Sequence, residues 1–394
     1  MQCHLFHLMP YPHLPPDFDD MKKYPTSWVI FSNKHYDPVK GVEIYNRYLD
    51  ELEWAEELGF DGVCVNEHHQ NAYGTMPAPN IMAAALTRRT KRVKILVLGN
   101  GLPLRDHPLR VAEEIAMLDV MSGGRIVSGF VRGVGVEYFS MGVNPTYSRE
   151  RFAEAHDLII KSWTEPGPFD FEGKHYRVRY VNVWPRPLQK PHPPIWIPSF
   201  GSRDTGVWCA HPSRKYAFLS TYLPDKTVKG LFDACFETAR QHNYELSPYQ
   251  LGRLMPIYVA ETDEQARREG NQHIAWLFHR GLRYIPEMLF PPGYLSPSAA
   301  LFMAKSYHEV DWTKLSVDEM SEAGYCVVGS VETVKRRLAN SMKEMGWGIL
   351  MPLLQIGDMP ADRTRKNMKL FATEVMPYLR AEFDNLHPMM AKSA

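Results

Sequence analysis

The sequence predicts an α/β fold, a single (β/α)8 TIM-type barrel, on three observations. Short apolar runs alternate with amphipathic helical stretches through the chain, and consecutive βα units imply a parallel sheet with right-handed crossovers. The apolar run Val63–Val65 ends abruptly in Asn66-Glu67-His68-His69. A buried strand that finishes in a carboxylate and two imidazoles has a carboxyl tip facing something polar, and barrel and open-sheet enzymes keep their sites at that edge. At 394 residues, the chain suits one large barrel with insertions as well as it suits two ordinary domains.

The elements follow in order. Gln2–Leu8 reads as a first strand, followed by a Pro-rich and aromatic loop from Met9 to Val39. Tyr45, Tyr48, Leu49, Leu52 and Ala55 then share one helical face, closed by Gly59 as a C-cap. Gly62–Asn66 is the second strand, Pro79 opens a helix, and the all but wholly apolar Val93–Leu98 suits a strand buried on both faces. Pro108 starts a helix with Val111, Ile115 and Leu118 on its apolar stripe, and Ser122-Gly123-Gly124 ends it. Arg125–Phe130 is the fourth strand and Ser148 begins the next helix. Phe169–Val183 reads as a hairpin turning at Glu172-Gly173-Lys174, and Pro185–Pro194 as a surface connection. Strands at Ile195–Pro198, Tyr216–Leu219, Leu254–Ala260 and Gly348–Leu354 complete the eight. Helices are expected at Ser202–Ala210, Thr227–His242 and Val331–Met345, with a long one over Arg363–Phe383. Residues 281–322 carry aromatics and Pro291-Pro292-Gly293 without a clear period, so they are expected to form a lid insertion over the mouth of one domain spanning 1–394.

Composition narrows the function classes. Lys plus Arg and Asp plus Glu are 45 each, so no net charge draws the chain to nucleic acid or to a membrane, and a small organic substrate is the expected partner. The 44% apolar content is that of a globular protein with a substantial core. Five cysteines, scattered and without a Cys-x-x-Cys pair, argue against a disulfide framework or a thiolate zinc site. The start of the chain lacks a signal peptide's charged and apolar regions, and no apolar segment reaches the roughly 20 residues that span a bilayer. The expectation is a cytoplasmic protein.

Three further segments accompany Glu67-His68-His69. In Leu98-Gly99-Asn100-Gly101, the glycines permit close backbone approach to a flat ligand and Asn100 offers a donor and an acceptor; a tight turn would use the same residues. Arg132, at the end of the fourth strand, is placed for bidentate contact with a phosphate, or else for a salt bridge at the barrel mouth. The strand that ends at Pro198 passes through Ser199-Phe200-Gly201-Ser202 into a helix. The amides of Gly201 and Ser202 and the Ser202 hydroxyl form an anion site there, although a serine N-cap alone explains Ser202. Two independent anion features favour a phosphate-bearing cofactor, with the later turn as its main site.

Taken together, the segments resemble the bacterial luciferase-like flavin monooxygenase superfamily. The resemblance runs in order through Gly59-Phe60-Asp61, Glu67-His68-His69, Pro108 to Glu114 and Leu118-Asp119. It continues through Ser122-Gly123-Gly124-Arg125, Gly129 to Gly133, Gly201-Ser202 and Val328 to Val334. It implies a TIM-type barrel that uses reduced FMN, delivered by a separate reductase, with O2 as co-substrate. His68 matches the first histidine of the family's Glu-His-His motif, which handles the flavin hydroperoxide; Arg132 matches the phosphate-contacting arginine and Gly201-Ser202 the phosphate turn. Val131 stands where luciferase proper has a reactive cysteine, so light emission is not implied. Phe6 to Tyr11 looks closer to the monooxygenases of terpene and ketone catabolism. A homo-oligomer, a dimer or higher, is implied by the resemblance alone.

The residues suit such chemistry. Oxygen transfer needs water excluded, which the expected lid would provide, and a group that passes a proton near neutral pH, which an imidazole is. His68 and Glu67 are therefore the expected catalytic residues, with Asn100, Arg132, Gly201 and Ser202 at the cofactor. His69 should point away from His68 if the strand continues. The alternatives are a deazaflavin (F420)-dependent oxidoreductase of the same superfamily and a non-catalytic flavin-binding protein. A third is a metal-dependent hydrolase built on Glu67, His68 and His69. The last needs ligands from several strand ends, and His4 and His7 are spaced to face opposite ways, so no metal is expected. The aromatic and aliphatic lid suggests a largely apolar substrate.

Overall fold

The computed structural model describes residues 1–295 and 314–388. Four strands come first: β1 (Gln2–Phe6), β2 (Gly62–Val65), β3 (Lys94–Gly101) and β4 (Ile126–Val131). An antiparallel hairpin, β5 (Phe169–Glu172) with β6 (Arg177–Val181), interrupts them. Then come β7 (Ile195–Ser199), β8 (Ala217–Thr221), β9 (Leu251–Ala260), β10 (Val327–Ser330) and β11 (Ile349–Leu353). The order β1-β2-β3-β4-β7-β8-β9-β11 is parallel throughout and closes on itself where β11 pairs with β1, so the eight-stranded barrel is present.

Helices cover its outside. α1 (Pro38–Glu57) is capped by Asp37, whose side chain accepts from the Val39 amide at 2.9 Å. α2 (Pro79–Arg89) and α3 (Pro108–Ser122) follow, the latter ended by Gly123 at a φ of +68°. A short α4 (Glu137–Met141) precedes α5 (Ser148–Thr164), and α6 (Arg203–Ala210), α7 (Asp225–Gln241) and α8 (Asp263–Ala275) come later. Successive strand residues alternate between two cores. Ile95 and Val97 pack outward with Ile115 and Ile159, while Leu96 joins Phe6, Cys64, Leu219 and Met351 inside the barrel.

Three expectations are corrected. β9 begins at Leu251, and its second half, Ile257–Ala260, pairs with β10 outside the closed ring. β10 is a parallel strand that the pattern does not announce, because its Gly329-Ser330 ending also serves the next helix. The Ser330 hydroxyl accepts from the Thr333 amide at 3.3 Å and caps Val331–Met345. The long C-terminal helix is in pieces: Ala361–Leu370, a π-helical turn Phe371–Val375, and Met376–Leu386. Pro377 supplies the reason, since it has no N–H for the preceding turn.

Of the expected lid, residues 296–313 lie outside the described residues. Its leading flank meets the loop that follows β1. The Trp28 indole N–H and the Ser27 hydroxyl both donate to the Gly281 carbonyl, at 2.9 Å each. The Thr26 hydroxyl donates to the Arg283 carbonyl at 2.7 Å, and Arg283 returns to the Phe18 carbonyl at 2.8 Å. Two segments far apart in sequence are thereby joined over the carboxyl ends of the strands.

Candidate active site

The carboxyl ends of β2, β3 and β4 gather the first group of polar side chains. Glu67 is 1% exposed, and its two oxygens have separate partners. Oε1 receives His69 Nε2 at 2.9 Å; Oε2 receives Arg105 at 2.6 Å and the Gly101 amide at 3.3 Å. Burial by itself would raise the Glu67 pKa, but the His69 hydrogen bond and the Arg105 charge outweigh it and hold the carboxyl below its ordinary value. His68 turns to another carboxylate, with Nδ1 at 3.2 Å from Glu137 Oε1. The strand does not continue to the histidines, because β2 has already ended at Val65, and loop geometry sends the two imidazoles to different carboxylates.

Asn100 is fully buried at the end of β3. Its carboxamide oxygen accepts from Asn80 at 2.9 Å and Arg105 at 3.3 Å, and its amide nitrogen lies 3.4 Å from the Asn80 oxygen. The structure therefore joins Asn100 to Glu67 through Arg105, with its polar atoms engaged by protein partners. The β3–β4 contact below it is close: a Cβ on Gly129 would stand 2.3 Å from the Val97 carbonyl oxygen.

Arg132 and the Gly201-Ser202 turn form the second group. β4 and β7 are neighbours with Gly129 opposite Trp196, so Arg132 and Ser199 leave the barrel side by side. Arg132 Nη1 donates to the Ser148 hydroxyl at 3.1 Å and to the Tyr294 carbonyl at 3.2 Å. Arg149 is a second cation here; burial first, then the Arg132 charge, lowers its pKa, while Asp204 on the first turn of α6 acts the other way. Gly201 adopts a φ of +86°, with no atom nearer than 3.7 Å to where a Cβ would stand. The Ser202 hydroxyl accepts from the Thr205 amide at 3.3 Å as the N-cap of α6, and the Ser202 amide donates to the Ser199 hydroxyl at 3.2 Å.

Aromatic side chains cover His68. Trp28 is fully buried and meets the imidazole edge-on at 5.4 Å; Tyr73 meets it at 5.1 Å. Trp28 also stacks on Tyr73 at 5.3 Å and lies 4.9 Å from Tyr284. Burial pushes the phenols of Tyr73, Tyr222 and Tyr284 above their ordinary value, so all three stay neutral. His7 is occupied elsewhere, with Nε2 3.0 Å from Glu51, and His4 packs edge-on against Trp196 at 5.1 Å. No group of three or more His, Cys, Asp or Glu side chains among the described residues is arranged to hold a metal ion.

Sequence reasoning missed Arg105, Glu137, Arg149, Tyr73 and Trp28. Arg149 carried a signal: it directly follows Ser148, the expected helix start. Glu137 carried none, since it lies in Gly133-Val134-Gly135-Val136-Glu137 with no periodicity to place it.

The comparisons with known proteins agree with this architecture. The chain is 24% identical over 353 residues to the oxygenase component of the flavin-dependent trigonelline monooxygenase of Acinetobacter baylyi, covering 88% of this chain and 93% of that one. The oxygenating constituent of 3,6-diketocamphane monooxygenase from Pseudomonas putida, solved in complex with FMN, superposes with a TM-score of 0.70 at 18% identity. That match covers 96% of this chain and 98% of that one. An F420-dependent secondary alcohol dehydrogenase shares the fold with a TM-score of 0.64 at 17% identity, over 96% of this chain and 99% of that one. The family model of the luciferase-like monooxygenases matches residues 26–347, and the chain belongs to that family.

Proposed function

We propose that this chain is the oxygenase component of a two-component monooxygenase. In this reading it takes reduced FMN from a separate reductase and O2 from solution, and it oxygenates a small, largely apolar organic molecule. The observation that carries the reading is the pairing of two sites at one barrel end. One is a cationic cluster of Arg132 and Arg149 facing Asp204 on the first turn of α6, which the Gly201-Ser202 turn begins; the other is an imidazole met edge-on by Trp28 and Tyr73, with Tyr284 packed behind Trp28. The donor set fits FMN. Two guanidinium groups and a helix N-terminus suit a phosphate dianion, and the space beside Gly201 leaves its backbone open to close approach. The name of the trigonelline enzyme, an oxygenase component, supports a separate reductase.

Each residue then has a task. Arg132, Arg149, Gly201 and Ser202 hold the phosphate. Reduced FMN, when bound, supplies the electrons and the place where O2 is activated. Trp28, Tyr73 and Tyr284 keep bulk water from that place, with the described flank of the expected lid, residues 281–295, beside them. His68 receives or returns a proton at Nε2. Glu67 stays ionised and acts through His69 and Arg105, with Asn100 completing the same network. Ile81 on α2 and Met117, Val120 and Met121 on α3 are exposed apolar side chains, which gives a homo-oligomer a surface to form on.

The experiment is an anaerobic titration with reduced FMN, read by quenching of tryptophan fluorescence, followed by an O2 pulse with H2O2 measured over time. Tight binding with slow H2O2 release, quickened in His68→Ala, is the expected result. Binding of reduced F420 in place of reduced FMN would reassign the chain to the deazaflavin oxidoreductases. Binding of neither would overturn the flavin reading.

A further inference from the structure

We infer that Glu137 is the positioning residue for His68, fixing the imidazole as its Nδ1–H tautomer so that Nε2 is the nitrogen offered to the reacting ligand. The inference rests on the proposed oxygenase reading only for what His68 then does; the positioning itself belongs to this chain's own residues.

Glu137 opens α4 and is 1% exposed. Its carboxylate is held by main-chain donors on both sides. Oε2 accepts from the Val134 amide at 2.8 Å, and Oε1 accepts from the His69 amide at 3.0 Å. Those amides belong to the loops after β4 and β2, so the carboxylate stays in place whatever the His68 ring does. His68 Nδ1 lies 3.2 Å from the same Oε1. A carboxylate oxygen that already accepts an amide N–H has only lone pairs left to offer, so the ring nitrogen facing it must carry the hydrogen. Nε2 is then a lone-pair base in the neutral ring and an N–H acid in the charged one, which are the two states a proton carrier needs.

The ring cannot easily turn its Nδ1 away from Glu137. Trp28 meets it at an interplanar angle of 85° and Tyr73 at 69°, so a flip has to pass between two buried aromatic side chains. A carboxylate that orients an imidazole through one nitrogen while the other does chemistry is a general device in proton-transfer sites. The neighbouring Glu67 does not serve His68 in this way, because its oxygens go to His69, Arg105 and Gly101.

A purely structural role is the competing explanation: Glu137 would tie two loops together and be indifferent to the tautomer. Long-range ¹H–¹⁵N correlation of the histidine side chains in the ligand-free protein separates the two, with the His68 signals assigned by their loss in His68→Asn. The expected result is the Nδ1–H form in the wild type and a shift toward the Nε2–H form that unconstrained histidine prefers in Glu137→Ala. An Nε2–H form in the wild type, a measurement needing no variant, would overturn the inference. So would a tautomer unchanged in a folded Glu137→Ala. Reduced-FMN binding by the same two proteins keeps the readings apart. A tautomer shift with no flavin bound by either supports the positioning and sinks the oxygenase reading, whereas flavin binding with an unmoved tautomer does the reverse.

Discussion

Tyr294 lies over the guanidinium of Arg132. The arginine's central carbon is 4.4 Å from the ring centroid, Nη1 donates to the tyrosine's own carbonyl, and the phenol donates back to the Gly133 carbonyl at 2.7 Å. The contact orients the planar group and covers one of its faces, and a partly shielded guanidinium binds an anion more strongly than a fully exposed one does.

Arg132→Ala is therefore expected to weaken reduced-FMN binding by about 10- to 100-fold, the equivalent of losing one or two charge-assisted hydrogen bonds worth about 1.5–3 kcal/mol. Reduced riboflavin has the same ring system and no phosphate, so its affinity should stay put. Parallel titrations decide the matter: equal losses for both flavins would mean that Arg132 does not read the phosphate.

Glu67 makes the acid stability of the fold partly a property of this site. Its folded-state pKa is lowered by His69 and Arg105 against the opposing effect of burial. Its contribution is therefore complete above the unfolded carboxylate value of about 4.3 and is lost as pH falls through the depressed folded value. Glu67→Gln should cost about 1–3 kcal/mol near neutrality, since it leaves Arg105 without its anion. The difference from wild type should close as the pH drops below that folded value, where the native glutamate is itself protonated. Thermal melts of both proteins across the acid range test this; a constant gap at every pH would show that the charge of Glu67 is not the stabilising element.

Gly129 is where the barrel tolerates least. A methyl group there would stand 2.3 Å from the Val97 carbonyl oxygen and 2.9 Å from the Leu98 Cα, and both are backbone atoms of the neighbouring strand. Gly129→Ala should lower stability by more than about 3 kcal/mol, at the upper end of single-residue effects. Gly142→Ala is the control, because nothing lies within 4 Å of its would-be Cβ, although its φ of +64° carries a backbone cost of its own. Denaturant midpoints for the pair would refute the packing argument if Gly129→Ala were the milder change.

These predictions draw on features of unequal legibility in the sequence. The barrel could be read because its strands are apolar and its helices periodic, and Glu67 and His68 could be read because they end a buried run. Arg105 and Glu137 were hidden because their meaning depends on which strand ends become neighbours. Glu137 reaches His68 across 69 positions of sequence, and only the adjacency of β2, β3 and β4 brings them together. Asn100 shows the converse. The glycines around it marked a close approach, but the partner of its carboxamide is Asn80 on α2, a protein group that the local pattern does not reveal.

The junction between the loop after β1 and residues 281–283 turns on a carbonyl shared by two donors. Gly281 accepts from both the Trp28 indole and the Ser27 hydroxyl, at a point where the loop after β1 meets the segment leading into the expected lid. Removing either donor leaves the carbonyl with the other, so Ser27→Ala or Trp28→Phe alone should cost only about 1 kcal/mol in hydrogen bonding. Removing both adds to the two lost hydrogen bonds the penalty of a buried acceptor left unpaired, at least about 1 kcal/mol. The double variant should therefore lose about 1 kcal/mol more than the sum of the singles, a coupling that a double-mutant cycle resolves. Trp28 also packs on Tyr73 and Tyr284 around His68, so the double variant should release H2O2 faster after an O2 pulse than either single one does. Strict additivity in both readouts would mean that Gly281 is paired by some other group, and that the two segments meet without depending on each other.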